Sequence, residues 1–153
     1  MSPGGTERGV TARVIFTEAE RAFLTRMRVA RLATADAVGQ PHVIPIVFAI
    51  DDRRLYTPLD EKPKRVGPRQ LKRVRNLLAN PQIAIVVDHY DEDWTRLAWV
   101  LVKGRGEIVE GGDAHAAGVH LLESKYPQYK AMPLTDRPLI VVTPVAVTSW
   151  GAL

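Results

Sequence analysis

Apolar and polar positions repeat with two different periods along this chain, and the switches between them mark out the elements. Thr17-Glu18-Ala19-Glu20 offers a capping residue followed by early acids, and Ala22, Phe23, Met27 and Val29 follow at helical spacing. This predicts a short amphipathic helix. Residues 31–36 read as a strand, 37–41 as its turn and 42–50 as the return strand, because Gly39 and Pro41 punctuate two extended runs. The polar turn at 51–54 leads into a third strand at 55–57, rich in residues that suit a pleated surface.

Residues 58–68 read as a loop. Gly67-Pro68 then signals a helix start, with Leu71, Val74 and Leu78 as its apolar stripe and a stop before Asn80-Pro81. The continuous apolar run at 82–88 predicts a buried strand, and 97–110 predicts a longer one in which Gly104 and Gly106 mark a bulge or bend. Residues 113–126 have helical composition and end at Pro127, and 139–150 close the chain as a strand. Short strands joined by hairpins and interrupted by a few helices predict a mainly β, α+β fold, a barrel-like sheet with helices at its edges. No Gly-rich dinucleotide fingerprint follows any strand. Residues 1–11, rich in Gly, Ser and Thr and without periodicity, are expected to be a poorly ordered tail, and 12–153 a single domain.

Composition removes whole classes of chemistry. The absence of cysteine excludes disulfides, thiolate nucleophiles and thiolate metal ligands. The longest apolar runs, 83–87 and 138–142, are too short to span a bilayer, and the first residues lack a signal-peptide core, so a cytoplasmic chain without membrane attachment is expected.

Charge sharpens the picture. The net charge is +4, and Lys62, Lys64, Arg65, Arg69, Lys72, Arg73 and Arg75 fall in one segment with no intervening acid. That segment crosses a loop-to-helix junction, where unpaired N–H groups and the positive end of the helix dipole favour an anion, so it predicts a phosphate site. A solvated helix face is the alternative. Nucleic acid is not expected, because no aromatic is interleaved between Lys62 and Arg75.

Other candidates carry less. Asp88-His89-Tyr90-Asp91-Glu92-Asp93-Trp94 joins a histidine to several carboxylates, but the spacing matches no metal-ligand motif and reads as an acidic turn. His42 begins a strand, where a ligand contact is open to it, but by itself it reads as a surface or satisfied core histidine. His115 and His120 share a helix without a consistent partner, and Ser124 and Ser149 lack the context of a nucleophile elbow, which leaves a hydrolase unsupported. Trp94, Trp99 and Trp150 read as core or interface residues. No metal and no obligatory acid or base is assigned.

One order of motifs is specific. Arg31-Leu32-Ala33-Thr34, Gly39-Gln40-Pro41-His42-Val43-Ile44-Pro45-Ile46, Leu55-Tyr56-Thr57 and Lys72-Arg73-Val74-Arg75-Asn76-Leu77 before Asn80-Pro81 together resemble the pyridoxamine-phosphate-oxidase-like superfamily, particularly its F420-dependent branch. The 88–94 segment and Lys125-Tyr126-Pro127-Gln128-Tyr129 are similar to one F420-associated subgroup. The resemblance implies a six-stranded antiparallel split β-barrel with flanking helices, and a homodimer holding a flavin-like ring across its two subunits. It places the ring along His42, Val43 and Pro45, the cofactor tail along Tyr56 and Thr57, and the phosphate on Lys72 and Arg73; the charge run adds Lys62, Lys64 and Arg65 as further candidate cations on a loop particular to this chain. The implied activity is hydride transfer between coenzyme F420 and a small electrophilic organic substrate. An FMN-dependent oxidase or reductase, and a non-enzymatic cofactor- or haem-binding module, remain as alternatives on the same fold.

Overall fold

The computed structural model describes residues 4–9, 15–59 and 71–153. Among these, strands β1 (Thr6–Gly9), β2 (Ala30–Ala35), β3 (Pro41–Ile46), β4 (Ala49–Ile50), β5 (Leu55–Pro58), β6 (Gln82–His89), β7 (Ala98–Val109) and β8 (Leu139–Gly151) form one sheet. Helices α1 (Glu18–Arg26), α2 (Lys72–Ala79) and α3 (Asp113–Lys125) flank it. The strand order is β3-β2-β6-β7-β8-β5-β4, every pairing is antiparallel, and β1 pairs with β8. The end strands β3 and β4 are joined only by Val47 and Phe48, so the sheet curls into a half-barrel. Among the described residues no helix is long and apolar enough to cross a membrane.

Eight strands stand where six were expected, for two local reasons. The return strand predicted at 42–50 breaks at Val47–Phe48, where the Phe48 ring turns into the core. The freed backbone is satisfied by the Tyr126 hydroxyl, which accepts from the Phe48 N–H at 3.1 Å. Its single proton lies within reach of the carbonyls of Arg28 at 2.9 Å and Phe48 at 3.0 Å. The second addition is β1: residues 6–9, expected within a disordered tail, form a strand.

Strand alternation sorts the side chains onto two faces. Leu32, Ile85, Val100, Val102, Val142 and Val147 point into the half-barrel, with Phe23 and Leu24 of α1 among them. On the other side of β5 and β8, Tyr56, Leu139 and Val141 pack against Val119 and Leu122 of α3 as a second cluster. Gly118 allows that approach, since a Cβ there would lie 2.5 Å from Tyr56 Cδ1 and 2.6 Å from Leu139 Cδ1. The predicted irregularity at Gly104 is a bulge: Lys103 pairs with Ala146 and Gly104 with Pro144, so Val145 has no opposite number.

One sequence expectation changes here. The stripe of α2 is Val74 and Leu77, both buried, while Leu78 is 62% exposed. Leu77 seats at Gly106, whose missing Cβ would otherwise lie 2.9 Å from Leu77 Cδ2. Leu71 is the N-cap residue, and its part-buried side chain packs against the core as the stripe requires. The start expected at Gly67-Pro68 lies outside the described residues.

Candidate cofactor site

β3 divides its predicted residues between two faces. His42 lies directly opposite Thr34 of β2 and shares its inward side, whereas Val43 and Pro45 point outward and are exposed. Thr34 is buried, and its hydroxyl accepts a 3.0 Å hydrogen bond from Nδ2 of Asn76, itself buried on α2. α2 therefore roofs the end of the half-barrel beneath which His42 sits. Nδ1 of His42 is fully buried and has no hydrogen-bond partner among the described residues. A buried polar nitrogen left in this state costs free energy, and a ligand that supplied a partner would recover it.

The first turn of α2 brings the cations. Lys72 is part-exposed, and its Nζ lies 3.8 Å from Oδ2 of Asp36 in the β2–β3 turn. Asp36 is held below the usual carboxylate range, chiefly by the N–H of Gln40, which outweighs the opposing effect of desolvation with help from Val38 and Lys72. Arg73 is 6% exposed, so one of the two expected phosphate-binding cations is an interior residue. The apolar stripe expected from the sequence left Arg73 off the packed face of the helix, and this is corrected. Lys62, Lys64, Arg65 and Arg69 lie outside the described residues.

The two β5 candidates also part. Thr57 pairs with Ile140 and faces inward with it, while Tyr56 pairs with Val141 and faces α3. The Tyr56 hydroxyl donates to Oδ2 of Asp51 at 2.6 Å, and burial, reinforced by that carboxylate, pushes its pKa up to about 12. The structure does not bring Tyr56 to the same face as His42 and Thr57.

The outward face carries a separate groove of about 600 Å³ lined by Arg31, Val86, Asp88, Trp99 and Leu101. Arg31 and Asp88 close across it at 2.8 Å. Thr34, Asn76 and Trp99 were not among the candidates read from the sequence. Thr34 and Asn76 stood in the motifs quoted above and Trp99 was read as a core or interface residue, but nothing in the pattern gave the faces on which they lie.

The acidic segment is a turn. Asp93 accepts from Thr95 N–H and hydroxyl, and Asp91 accepts from Asp93 N–H. Among the described residues no three His, Asp or Glu side chains are grouped to hold a metal. His115 is buried, with Nε2 at 2.6 Å from the Arg137 carbonyl, and is structural.

A curled antiparallel half-barrel with a helix across one end is the architecture of the split-barrel class. The profile of the pyridoxamine 5'-phosphate oxidase family matches residues 16–151, and the chain belongs to that family. A curated relative, the 5a,11a-dehydrotetracycline/5a,11a-dehydrooxytetracycline reductase of Streptomyces rimosus, is 34% identical over 73 residues; the match covers 48% of this chain and 49% of the relative. The chain thus spans about half the length of that relative. Three solved structures share the fold. A conserved hypothetical protein of Mycobacterium tuberculosis has a TM-score of 0.71 at 22% identity, over 93% of this chain and 89% of that one. An FAD-binding protein of Mesorhizobium loti has 0.66 at 24%, over 95% and 96%. The haem storage protein HutZ of Vibrio cholerae has 0.64 at 18%, over 80% and 85%.

Proposed function

We propose that the protein is an oxidoreductase that binds a phosphorylated flavin-type cofactor at the α2 end of the half-barrel, and that this cofactor is coenzyme F420. The observation that carries the reading is the buried, unpartnered Nδ1 of His42 beneath a helix whose first two residues are Lys72 and Arg73. A hydrogen-bonding ring edge with an anionic tail answers both features. Family membership and the reductase relative support the redox class. The basic run from Lys62 to Arg69 favours F420, with its longer anionic tail, over FMN.

When bound, the deazaflavin supplies hydride transfer with an electrophilic organic substrate. The chain's own part is to bind and orient. His42 fixes a ring edge from inside, Lys72 and Arg73 hold the phosphate, and Thr57 borders the tail. The exposed Val43 and Pro45, with Val86 and Leu101, belong to the surface that a second copy covers in a homodimer.

The deciding experiment is titration of the purified protein with F420, FMN and haem, followed by absorption and fluorescence. Tighter binding of F420 than of FMN is expected. Reversed affinities move the assignment to an FMN enzyme. Tight haem binding without turnover of either reduced cofactor moves it to a haem module. Sedimentation with cofactor present is expected to give a dimer at micromolar concentration, and a monomer would refute the shared interface.

A further inference from the structure

β1 contains Thr6, Glu7, Arg8 and Gly9, preceded by Gly4 and Gly5, and no apolar side chain among them. It therefore docks without the hydrophobic burial that holds every other strand of the sheet. What remains is a short ladder to β8, from Thr6 opposite Ser149 to Gly9 opposite Ala146, and two ionic pins on opposite faces.

The inner pin is Glu20 of α1. It is 1% exposed, and its carboxylate accepts from Arg8, from the Ser149 hydroxyl at 2.6 Å and from the Thr17 N–H at 2.9 Å. Burial opposes its ionisation, yet these donors together hold its pKa below the ordinary value. One carboxylate thus serves both the capping box of α1 and the docking of β1. The outer pin is Glu7, which pairs with Lys103 of β7 and accepts from the Thr148 hydroxyl at 3.2 Å. Among the described residues the ionisable groups here are Glu7, Arg8, Glu20 and Lys103, and the stretch of β8 opposite β1 contributes only hydroxyls.

The strand also meets the outer groove. Gly5 lies flush on Trp99, such that a Cβ on it would be 2.6 Å from Trp99 Cη2 and 2.6 Å from Thr148 Cγ2. Trp99 is also one of the residues that line that groove.

We propose that β1 is a polar strap that leaves β8 as a unit, while the half-barrel stays folded, and in leaving uncovers Trp99 at the end of the outer groove. Its hold depends on charge pairs and not on packing, which makes it the part of the sheet most sensitive to loss of one side chain. Removing Arg8 strands the buried Glu20 carboxylate, and undocking relieves that by letting water reach it. The idea is independent of which cofactor the protein takes.

Hydrogen exchange at neutral pH on Arg8→Ala tests it. Amides of residues 6–9 should exchange about tenfold faster or more than in the wild type, while β6 and β7 keep their protection. Acrylamide quenching of tryptophan fluorescence should rise in Arg8→Ala, and the rise should vanish when Trp99→Phe is added to both proteins. Wild-type protection of residues 6–9 in the variant overturns the proposal. So does loss of protection only together with β6 and β7, and so does quenching that is unchanged or independent of Trp99.

Discussion

The hydroxyl of Tyr56 donates a 2.6 Å hydrogen bond to Oδ2 of Asp51, whose other oxygen accepts from the N–H groups of Arg53 and Arg54. One aspartate closes the β4–β5 turn with its first oxygen and anchors a core tyrosine with its second. Tyr56→Phe is expected to lower unfolding free energy by about 1 kcal/mol. It should leave cofactor affinity unchanged, since the ring faces α3. The phenol has a pKa near 12 in the folded chain against an ordinary 10, so the folded state keeps a proton that the unfolded state loses. Its contribution to stability is whole below pH 10 and is lost as pH climbs towards 12. Denaturant titrations of both proteins across that window should show this loss in the wild type and not in Tyr56→Phe.

His42→Ala removes a nitrogen that has no hydrogen-bond partner among the described residues. Cofactor affinity should fall by about tenfold, the equivalent of one hydrogen bond, with a stability change of about 1 kcal/mol or less. Fluorescence titration and urea unfolding check the two halves. A large loss of stability with unchanged affinity would make His42 a packing residue.

Lys72 and Arg73 are neighbours with different surroundings, and their substitutions should separate accordingly. Lys72→Ala should weaken cofactor binding modestly and reduce its salt dependence without altering stability, because the side chain is part-exposed. Arg73→Ala should weaken binding by roughly ten- to a hundredfold and also destabilise the fold by about 1–3 kcal/mol, because it empties a buried position. Affinity measured beside circular dichroism melts distinguishes the two effects.

Lys125 gives a pH signature of opposite sign to Tyr56. Its ammonium donates to the Leu24 carbonyl at 3.1 Å and lies 3.9 Å from the centre of the Phe48 ring. Burial, and then the nearby Arg28 charge, bring its pKa down to about 8 from an ordinary 10.5. Between those values the unfolded chain binds more protons than the folded one, so stability should rise with pH from about 8 to 10. Lys125→Met should flatten that rise in melting curves taken over the same range.

The element order was legible in the sequence wherever one period dominated. The strands at 82–88 and 97–110, the helix at 113–126 and the closing strand agree with the structure to within a residue or two. Which face a strand buries was less legible. In Leu55-Tyr56-Thr57-Pro58 all four residues are buried, because the half-barrel covers one side and α3 the other, so no polar position reveals the parity. Tyr56 therefore read as a cofactor neighbour of Thr57 although the two point apart. In α2, Arg73 and Asn76 are buried polar residues on a basic helix, and the charge pattern, read as a phosphate site with a solvated face as the alternative, carried no sign of that burial. β1 left no signal, since its docking uses no apolar residue.

Pro41 and Pro45 lie on β3, the strand at one end of the sheet order. Backbone groups along an antiparallel strand point alternately towards the partner and away, and these prolines share one parity with Val43 between them. A nitrogen without hydrogen sits in such a ladder without loss only where it points away from β2. Of the three donors this stretch would offer to an incoming strand, only the Val43 N–H is left. The rim is thereby a poor template for strand addition, and neighbouring molecules in a crowded solution are denied the edge-to-edge pairing from which fibrous aggregates grow.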